Sequence, residues 1–391
     1  MSEWQEVMLK DIVSILGDGL HGTPEYDGNG EYYFINGNNL SNGKIVFKEN
    51  TKRANKEEFE KHKKNLNDRT ILVSINGTIG NIAEYNDEKC FLGKSACYFN
   101  ILENVDKKFI FYMATNNRFQ TYISEFAHGT TIKNVSLKTI REYSFLIPEQ
   151  AEQKAIAAVL CSLDDKIDLL HRQNQTLEAM AATLFRQWFV EEAREDWEEV
   201  VITDLFEVRD GTHDSPKQTS IGKPLITSKH ILDGRLDIGN AYLISEDDFN
   251  QVNQRSKVDT GDILFSMIGT IGLIYLEQSL SVDYAIKNIG LFKSSQNPDW
   301  ALYTYLWLKS SNGRQFIDEH KSGSTQEYVA LGSLRSIVFQ KPPIEVLQSF
   351  NKLASGYFSK IILNRSQIQT LETLRDTLLP KLMSGEVRVA A

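Results

Sequence analysis

The sequence predicts an α+β protein: two similar mixed α/β domains joined by two long antiparallel coiled-coil helices, the whole built on an internal pseudo-twofold repeat. Three observations lead to that prediction. The two halves of the chain match at a spacing of 192–194 residues, each half closes on a heptad seam, and the rest of each half alternates β-rich runs with Gly/Asn turns. With 391 residues, 41% of them hydrophobic and 24% charged, the chain has room for two or three domains that each bury a core. That composition excludes collagen, a coiled rod and intrinsic disorder.

The repeat comes first because a missed repeat miscalls the whole fold. Trp4 matches Trp197, and Asp18-Gly19-Leu20-His21 with Pro24 matches Asp210-Gly211-Thr212-His213 with Pro216. Ser74-Ile75-Asn76-Gly77-Thr78-Ile79-Gly80 matches Ser266-Met267-Ile268-Gly269-Thr270-Ile271-Gly272. Gly129-Thr130-Thr131 matches Gly323-Ser324-Thr325, and Pro148 matches Pro342. The offset grows by two between the Gly-Thr-Ile-Gly motifs and Gly129/Gly323, so the second copy carries a small insertion.

Within each copy, Arg69-Thr-Ile-Leu-Val-Ser and Asp262-Ile-Leu-Phe-Ser read as strands between exposed turns. Lys108-Phe-Ile-Phe-Tyr-Met-Ala-Thr and Asp299-Trp-Ala-Leu-Tyr-Thr-Tyr-Leu-Trp-Leu read as helices after an Asx-type start. The expected division is a first domain at 1–148, a first long helix at 149–193, a second domain at 194–343 and a second long helix at 344–391.

The seams are unusually regular. Ile156, Leu160, Leu163, Ile167, Leu170, Asn174, Leu177, Ala181, Leu184 and Trp188 alternate steps of four and three over 33 residues, about 50 Å of helix at ~1.5 Å per residue. The second seam runs Phe350, Ala354, Tyr357, Ile361, Asn364, Ile368, Leu371, Arg375, Leu378 and Leu382. Asn174 and Asn364 interrupt the seams, where a polar residue sets register at some cost in stability.

Charge and cysteine content narrow the function classes. No apolar run approaches the ~18–20 residues that span a bilayer, and the opening MSEWQEVMLKDIV does not read as a signal peptide. Cys90, Cys97 and Cys161 form no disulfide framework, which fits a reduced, cytoplasmic protein. The net charge of −9 disfavours nucleic acid at first sight, but it is concentrated: residues 149–199 carry 12 acidic and 5 basic side chains, whereas residues 1–148 carry 19 and 18. The globular blocks are therefore nearly neutral.

Several motifs together carry a resemblance. They are Gly-Thr-Ile-Gly after a strand, Gly-Thr-Thr or Gly-Ser-Thr before one, and a strand ending in Pro ahead of a long helix. Ile147-Pro148-Glu149-Gln150-Ala151-Glu152-Gln153 and Leu378-Leu379-Pro380-Lys381-Leu382-Met383-Ser384-Gly385 belong with them. Over essentially its whole length the chain resembles the DNA-specificity subunit of type I restriction–modification systems. One departure is Lys341-Pro342-Pro343-Ile344-Glu345-Val346-Leu347, which lacks the Glu-Gln pair. The resemblance implies two target-recognition domains, each reading one half of an asymmetric bipartite site in double-stranded DNA, with the helices as the spacer between them. It implies as partners two modification (methyltransferase) subunits and the restriction (endonuclease/translocase) subunits. It further implies a non-catalytic chain without a cofactor of its own, S-adenosylmethionine residing on the modification subunit. Half-sites about one DNA turn apart, ~34 Å, are of the order of the seam length.

Candidate DNA contacts are polar side chains in Gly-rich loops. In the first domain they are His21, Thr23, Asn36, Asn38, Asn39, Asn76, Thr78, Lys94, His128, Thr130, Thr131, Lys133 and Asn134. In the second they are Arg209, Thr212, His213, Ser215, Lys217, Thr227, Ser228, Lys229, His230, Thr270, Lys287, Lys321, Ser324, Thr325 and Gln326. Arg and Lys suit guanine edges and Asn and Gln suit adenine edges. Asn in such loops also forms turns, and Thr78 and Thr270, shared by both copies, suit structure better than readout. The outward helix faces, with Gln153, Asp164, Asp165, Gln173, Arg186, Gln187, Arg365, Gln367 and Arg375, are the expected docking surface for modification subunits.

Two rival readings compete. Pro298-Asp299 followed by Glu319-His320-Lys321 satisfies the loose PD…ExK pattern of nucleases, in which carboxylates hold Mg²⁺. Asp299 opens an expected helix and Glu319 lies near that helix's end, whereas the nuclease motif places these residues on strands, and the first copy has Ala127 in place of the Lys. No Walker A loop, zinc spacing or methyltransferase Asn/Asp-Pro-Pro-aromatic loop is present. The other reading is a two-domain protein-interaction scaffold that does not touch DNA. Loops that diverge while the seams stay alike favour variable recognition on a fixed platform.

Overall fold

The computed structural model describes residues 3–129, 132–232 and 234–389. They form two compact units: residues up to Leu169 together with those from Gln367 on, and Leu170–Ser366.

The first unit is built on a four-stranded antiparallel sheet of β1 (Val13–Asp18), β2 (Thr70–Ser74), β3 (Ile82–Glu84) and β4 (Ala96–Ile101), in the order β1-β4-β2-β3. Every residue of β2 and β4 is buried, so these strands are covered on both faces, which explains their continuous apolar runs. One face, with Ile71, Val73, Cys97 and Phe99, packs on Phe109 and Met113 of α2 (Lys107–Thr115) and Phe119 of α3 (Asn117–Glu125). The other, with Leu72, Ala96 and Tyr98, packs on Ile35 and Leu92, which pair in parallel. Helices α1 (Lys56–His62) and α4 (Leu137–Arg141) complete the domain. The Asx start expected for α2 is present, Asp106 accepting a hydrogen bond from the Phe109 amide at 2.8 Å.

Two long helices follow the two domains: α5 (Gln150–Arg186) after the first and α10 (Ile344–Ser384) after the second. Between them lie α6 (Glu246–Ser256), α7 (Ala301–Lys309), α8 (Ser311–Glu319) and α9 (Leu331–Arg335). In the first unit Ile156, Ala157 and Leu160 of α5 and Leu382 and Met383 of α10 join the same core as α2 and α3. Arg375 pairs with Asp164 at 3.0 Å and Arg388 pairs with Glu152, so the two helix ends run antiparallel here.

The second unit repeats the plan. Its sheet comprises β5 (Val208–Asp210), β6 (Ile263–Ser266), β7 (Ile274–Leu276) and β8 (Ile289–Phe292), in the order β5-β8-β6-β7. This is the connectivity of the first sheet, strand for strand. Ile263, Phe265 and Phe292 face a core shared with Tyr303, Phe339, Ala181, Phe185, Phe350 and Ala354. Leu264, Ile289 and Leu291 face Ile226, Ile231 and Ile286. Phe185 and Phe189, which lie beside the seam rather than on it, meet Tyr303 and Phe350 in edge-on ring contacts at 4.9–6.2 Å between centroids. The expected Asx start of α7 is replaced by a 3₁₀ turn at Pro298–Trp300, in which proline rather than a side-chain cap sets the first turn.

In this unit the helices are again antiparallel. Asn364 Nδ2 donates to Asn174 Oδ1 at 2.9 Å, and Arg365 pairs with Glu178 at 3.5 Å. Asn364 is fully buried and its Oδ1 has no hydrogen-bond partner among the described residues. Replacing both Asn174 and Asn364 by Leu is expected to raise the thermal midpoint by about 2–4 °C, the shift for ~1 kcal/mol in a domain of this size. Differential scanning calorimetry of the double variant checks it; a lower midpoint shows the pair to be a net stabiliser.

Candidate functional site

Strand pairing dictates where the loops go. In the first sheet Asp18 lies opposite Cys97, Ser74 opposite Ala96, and Val73 opposite Ile82. The loops after β1, between β2 and β3, and before β4 therefore leave from one end. The parallel pair Ile35/Leu92 delivers residues 36–39 and 93–95 to the same place: the Lys94 amide donates to the Leu20 carbonyl at 2.9 Å, and the Gly37 amide to Ser95 Oγ at 2.9 Å. A ladder from His128 through Asn134 to Asn76 adds the segment before α4. The second unit matches: Asp210 lies opposite Gly290 and Ser266 opposite Ile289, Thr212 bridges Lys287, and Ile268 bridges Tyr328.

Glycines make this end possible. A Cβ on Gly19 would stand 2.1 Å from the Leu92 carbonyl oxygen, and one on Gly211 2.5 Å from that of Ile286. Gly77 and Gly269 hold φ of 75° and 81°, a region that a Cβ disfavours. The Gly-Thr-Ile-Gly repeat is thus a backbone requirement, and Thr78 and Thr270 are carried exposed on its turn.

Most of the predicted contacts reach this end. His21, Thr23, Asn38, Thr78, Lys94, His128, Lys133 and Asn134 are exposed, as are His213, Ser215, Lys217, Lys229, Thr270, Ser324, Thr325 and Gln326. Asn36, Asn76, Thr212, Thr227, Ser228, Lys287 and Lys321 are half-buried. Thr130 and Thr131 lie outside the described residues. His21 and His213 are both tethered to the aspartate three residues before them, Asp18 at 2.6 Å and Asp210 at 2.8 Å.

Two candidates are corrected outright. Asn39 and His230 are buried and serve as repeat mates in one structural role. Asn39 Oδ1 accepts the Asn36 amide at 3.1 Å, and His230 Nδ1 accepts the Thr227 amide at 2.9 Å, each closing a short 3₁₀ turn. A third, Arg209, is half-buried and already engaged: it pairs with Glu207 and donates to the Arg255 carbonyl at 2.9 Å.

The helix candidates divide likewise. Gln153 is buried rather than outward, donating to the Pro148 carbonyl and accepting the Asp106 amide, both at 2.8 Å, so it pins the start of α5. Asp164 accepts from the Tyr112 hydroxyl at 2.7 Å and pairs with Arg375, and Arg365 pairs with Glu178; these three face a neighbouring element. Asp165, Gln173, Arg186, Gln187 and Gln367 are exposed. What spacing could not reveal is Arg255, an exposed side chain on the polar helix α6 that ion-pairs with buried Asp210.

Burial, with Lys229 nearby, holds the His230 imidazole below its ordinary value. The unfolded chain therefore binds a proton that the fold rejects, so this contribution to stability is complete above about pH 6.5 and is lost as the pH falls below it. His230→Asn, which copies the Asn39 arrangement, is expected to retain the fold and flatten this part of the profile. Urea midpoints from pH 7.5 to 5 for the two proteins check it; parallel curves refute it.

Comparison with known proteins accords with this geometry. A family model described as "Type I restriction modification DNA specificity domain" matches residues 1–179 and again 194–373. The type I restriction enzyme MjaIX specificity subunit of Methanocaldococcus jannaschii is 25% identical over 427 residues, covering 99% of this chain and 94% of that protein. The EcoBI specificity subunit of Escherichia coli is 22% identical, covering 81% and 73%. The crystal structure of an S subunit from a type I restriction–modification system of M. genitalium superposes with a TM-score of 0.55 at 19% identity, over 97% of this chain and 96% of that one.

Proposed function

The chain belongs to the type I restriction–modification DNA specificity family, and on that footing we propose that each unit reads one half of an asymmetric bipartite DNA site, the paired helices setting the spacing. The observation that carries this reading is the gathering, in both units, of loops of unlike sequence at the same end of the same sheet. Similar scaffolds with different side chains suit two different half-sites. Rigid strands hold the loop bases while polar side chains meet base edges in the major groove.

The partners are two modification subunits, which supply S-adenosylmethionine, the methyl transfer and most phosphate contacts, with restriction subunits joining them. Arg186 and Gln187, exposed where the first long helix ends, suit such docking. This chain contributes recognition rather than catalysis. Asp299 sits in the turn entering α7 and Glu319 ends α8, whereas Lys321 pairs with Asp318 at 2.7 Å, an arrangement unlike the strand-borne nuclease motif. No helix among the described residues is long and apolar enough to cross a membrane.

Long-read mapping of modified adenines in cells with the gene intact and deleted tests the reading: one bipartite, asymmetric motif is expected to vanish with the gene. Methylation unchanged while the partner genes are expressed would sink it. The spacer role has its own test. Deleting residues 165–171 and 367–373 removes one heptad from each helix and keeps the Asn174–Asn364 pair, shortening the helices by ~10 Å. The methylome is then expected to keep both half-sites with a spacer about three base pairs shorter, at ~3.4 Å per pair. An unchanged spacer refutes the role.

A further inference from the structure

Building on the specificity reading above, we propose that Arg255 reads a guanine, so that the half-site taken by the second unit contains a guanine whose major-groove edge enters the cleft between α6 and the loop after β5. That cleft has a volume of about 460 Å³, and Thr212, Ser215, Gln251 and Arg255 are among the residues lining it.

Arg255 is held firmly on one side and open on the other. Its Nη2 is ion-paired with Asp210 Oδ1; the other oxygen of that carboxylate meets His213 Nε2 at 2.8 Å, and His213 Nδ1 meets Asn288 Oδ1 at 2.8 Å. The Asp210 side chain is 6% exposed, the Arg255 side chain 63%. The guanidinium Nε and Nη1 have no hydrogen-bond partner among the described residues, so the second Nη2 hydrogen and the adjacent Nε or Nη1 hydrogen form the open pair of parallel donors. Arg209 fixes the backbone beneath it by donating to the Arg255 carbonyl. The result is a planar fork of donors, ordered before any ligand arrives, which lowers the entropy lost on binding.

The surroundings choose the ligand. A phosphate at this fork would meet the carboxylates of Asp214 and Asp248, which line the same cleft. The O6 and N7 acceptors of guanine are neutral and match two parallel N–H donors. A purely structural ion pair looks different: the Lys293 ammonium, 5% exposed, is consumed by Asp259, Asp262 and the Lys257 carbonyl.

The repeat identifies what is new here. The first unit keeps the Asp18–His21 pair, but α1 spans seven residues and ends at His62, whereas α6 spans eleven. The extra turn of α6 brings in Arg255. The two units thus share the anchoring carboxylate and histidine and differ in the cation.

The test uses the full chain assembled with its modification subunits and a duplex carrying the motif found by methylation mapping. For the wild type, 7-deazaguanine at one guanine of one half-site is expected to weaken binding about ten- to a hundred-fold, because the N7 acceptor is gone. Arg255→Ala and Arg255→Lys should bind the ordinary duplex about as weakly and lose nothing further on the deaza substitution. Their methylomes should become degenerate at that position alone, the other half-site staying intact. The proposal falls if both variants keep the wild-type preference everywhere, or if no single guanine in either half-site responds to the deaza substitution. Should Arg255→Ala fold poorly, the wild-type deaza series and Arg255→Lys still decide. A wild-type complex that recognises no bipartite motif is a separate result, overturning the specificity reading along with this one.

Discussion

The cores of both units are finished by the same two helices. Ile156 and Leu160 at the start of α5 meet Leu382 and Met383 at the end of α10 inside the first core; Ala181 and Phe185 meet Phe350 and Ala354 inside the second. The first unit is therefore not a contiguous stretch of chain, and it is complete only once the last helix has been made. Burial of the Ile, Leu, Met and Phe side chains among them, worth ~1.5–3 kcal/mol each, ties domain stability to helix register. A slip of one helix along the other would withdraw Phe350 or Leu382 from its pocket, so the register is enforced at both ends as well as by the Asn174–Asn364 bond.

That constraint leaves the loops free to vary. The backbone requirements at the loop end are met by glycines kept in both copies: Gly19 and Gly211 where the chain passes a carbonyl, Gly77 and Gly269 where φ is positive. Where a side chain takes over a structural duty, its identity can change while the bond persists. Asn39 and His230 accept the amide three residues earlier through different atoms. The exchange confers a sensitivity to protonation on the second unit only.

How far the sequence discloses this depends on whether the signal is periodic. The repeat, the seams and the strands around Ile71 and Leu264 are legible because burial recurs at fixed intervals. Asn39, His230 and Gln153 misled because an amide or imidazole in a polar loop or helix start reads the same whether it faces water or closes a turn. Only the partner distinguishes the two, and the partners here are local backbone amides and carbonyls. Arg255 escaped for the opposite reason. Nothing in Asn253-Gln254-Arg255-Ser256 separates a solvated helix end from a side chain anchored to a carboxylate 45 residues away.

The near-neutrality of the globular blocks then has a physical place in the recognition chemistry. With 18 basic against 19 acidic side chains in residues 1–148, they offer little excess positive charge to the DNA backbone, which is the part of binding that carries no sequence information. On the proposal that the modification subunits supply most phosphate contacts, the loops of this chain are left to discriminate between base edges. Carboxylates beside the fork, such as Asp214 and Asp248, sharpen that discrimination by penalising any pose that brings a phosphate to the cation. A basic surface would raise affinity for every sequence alike, whereas a single arginine anchored in an acidic cleft raises it for one base.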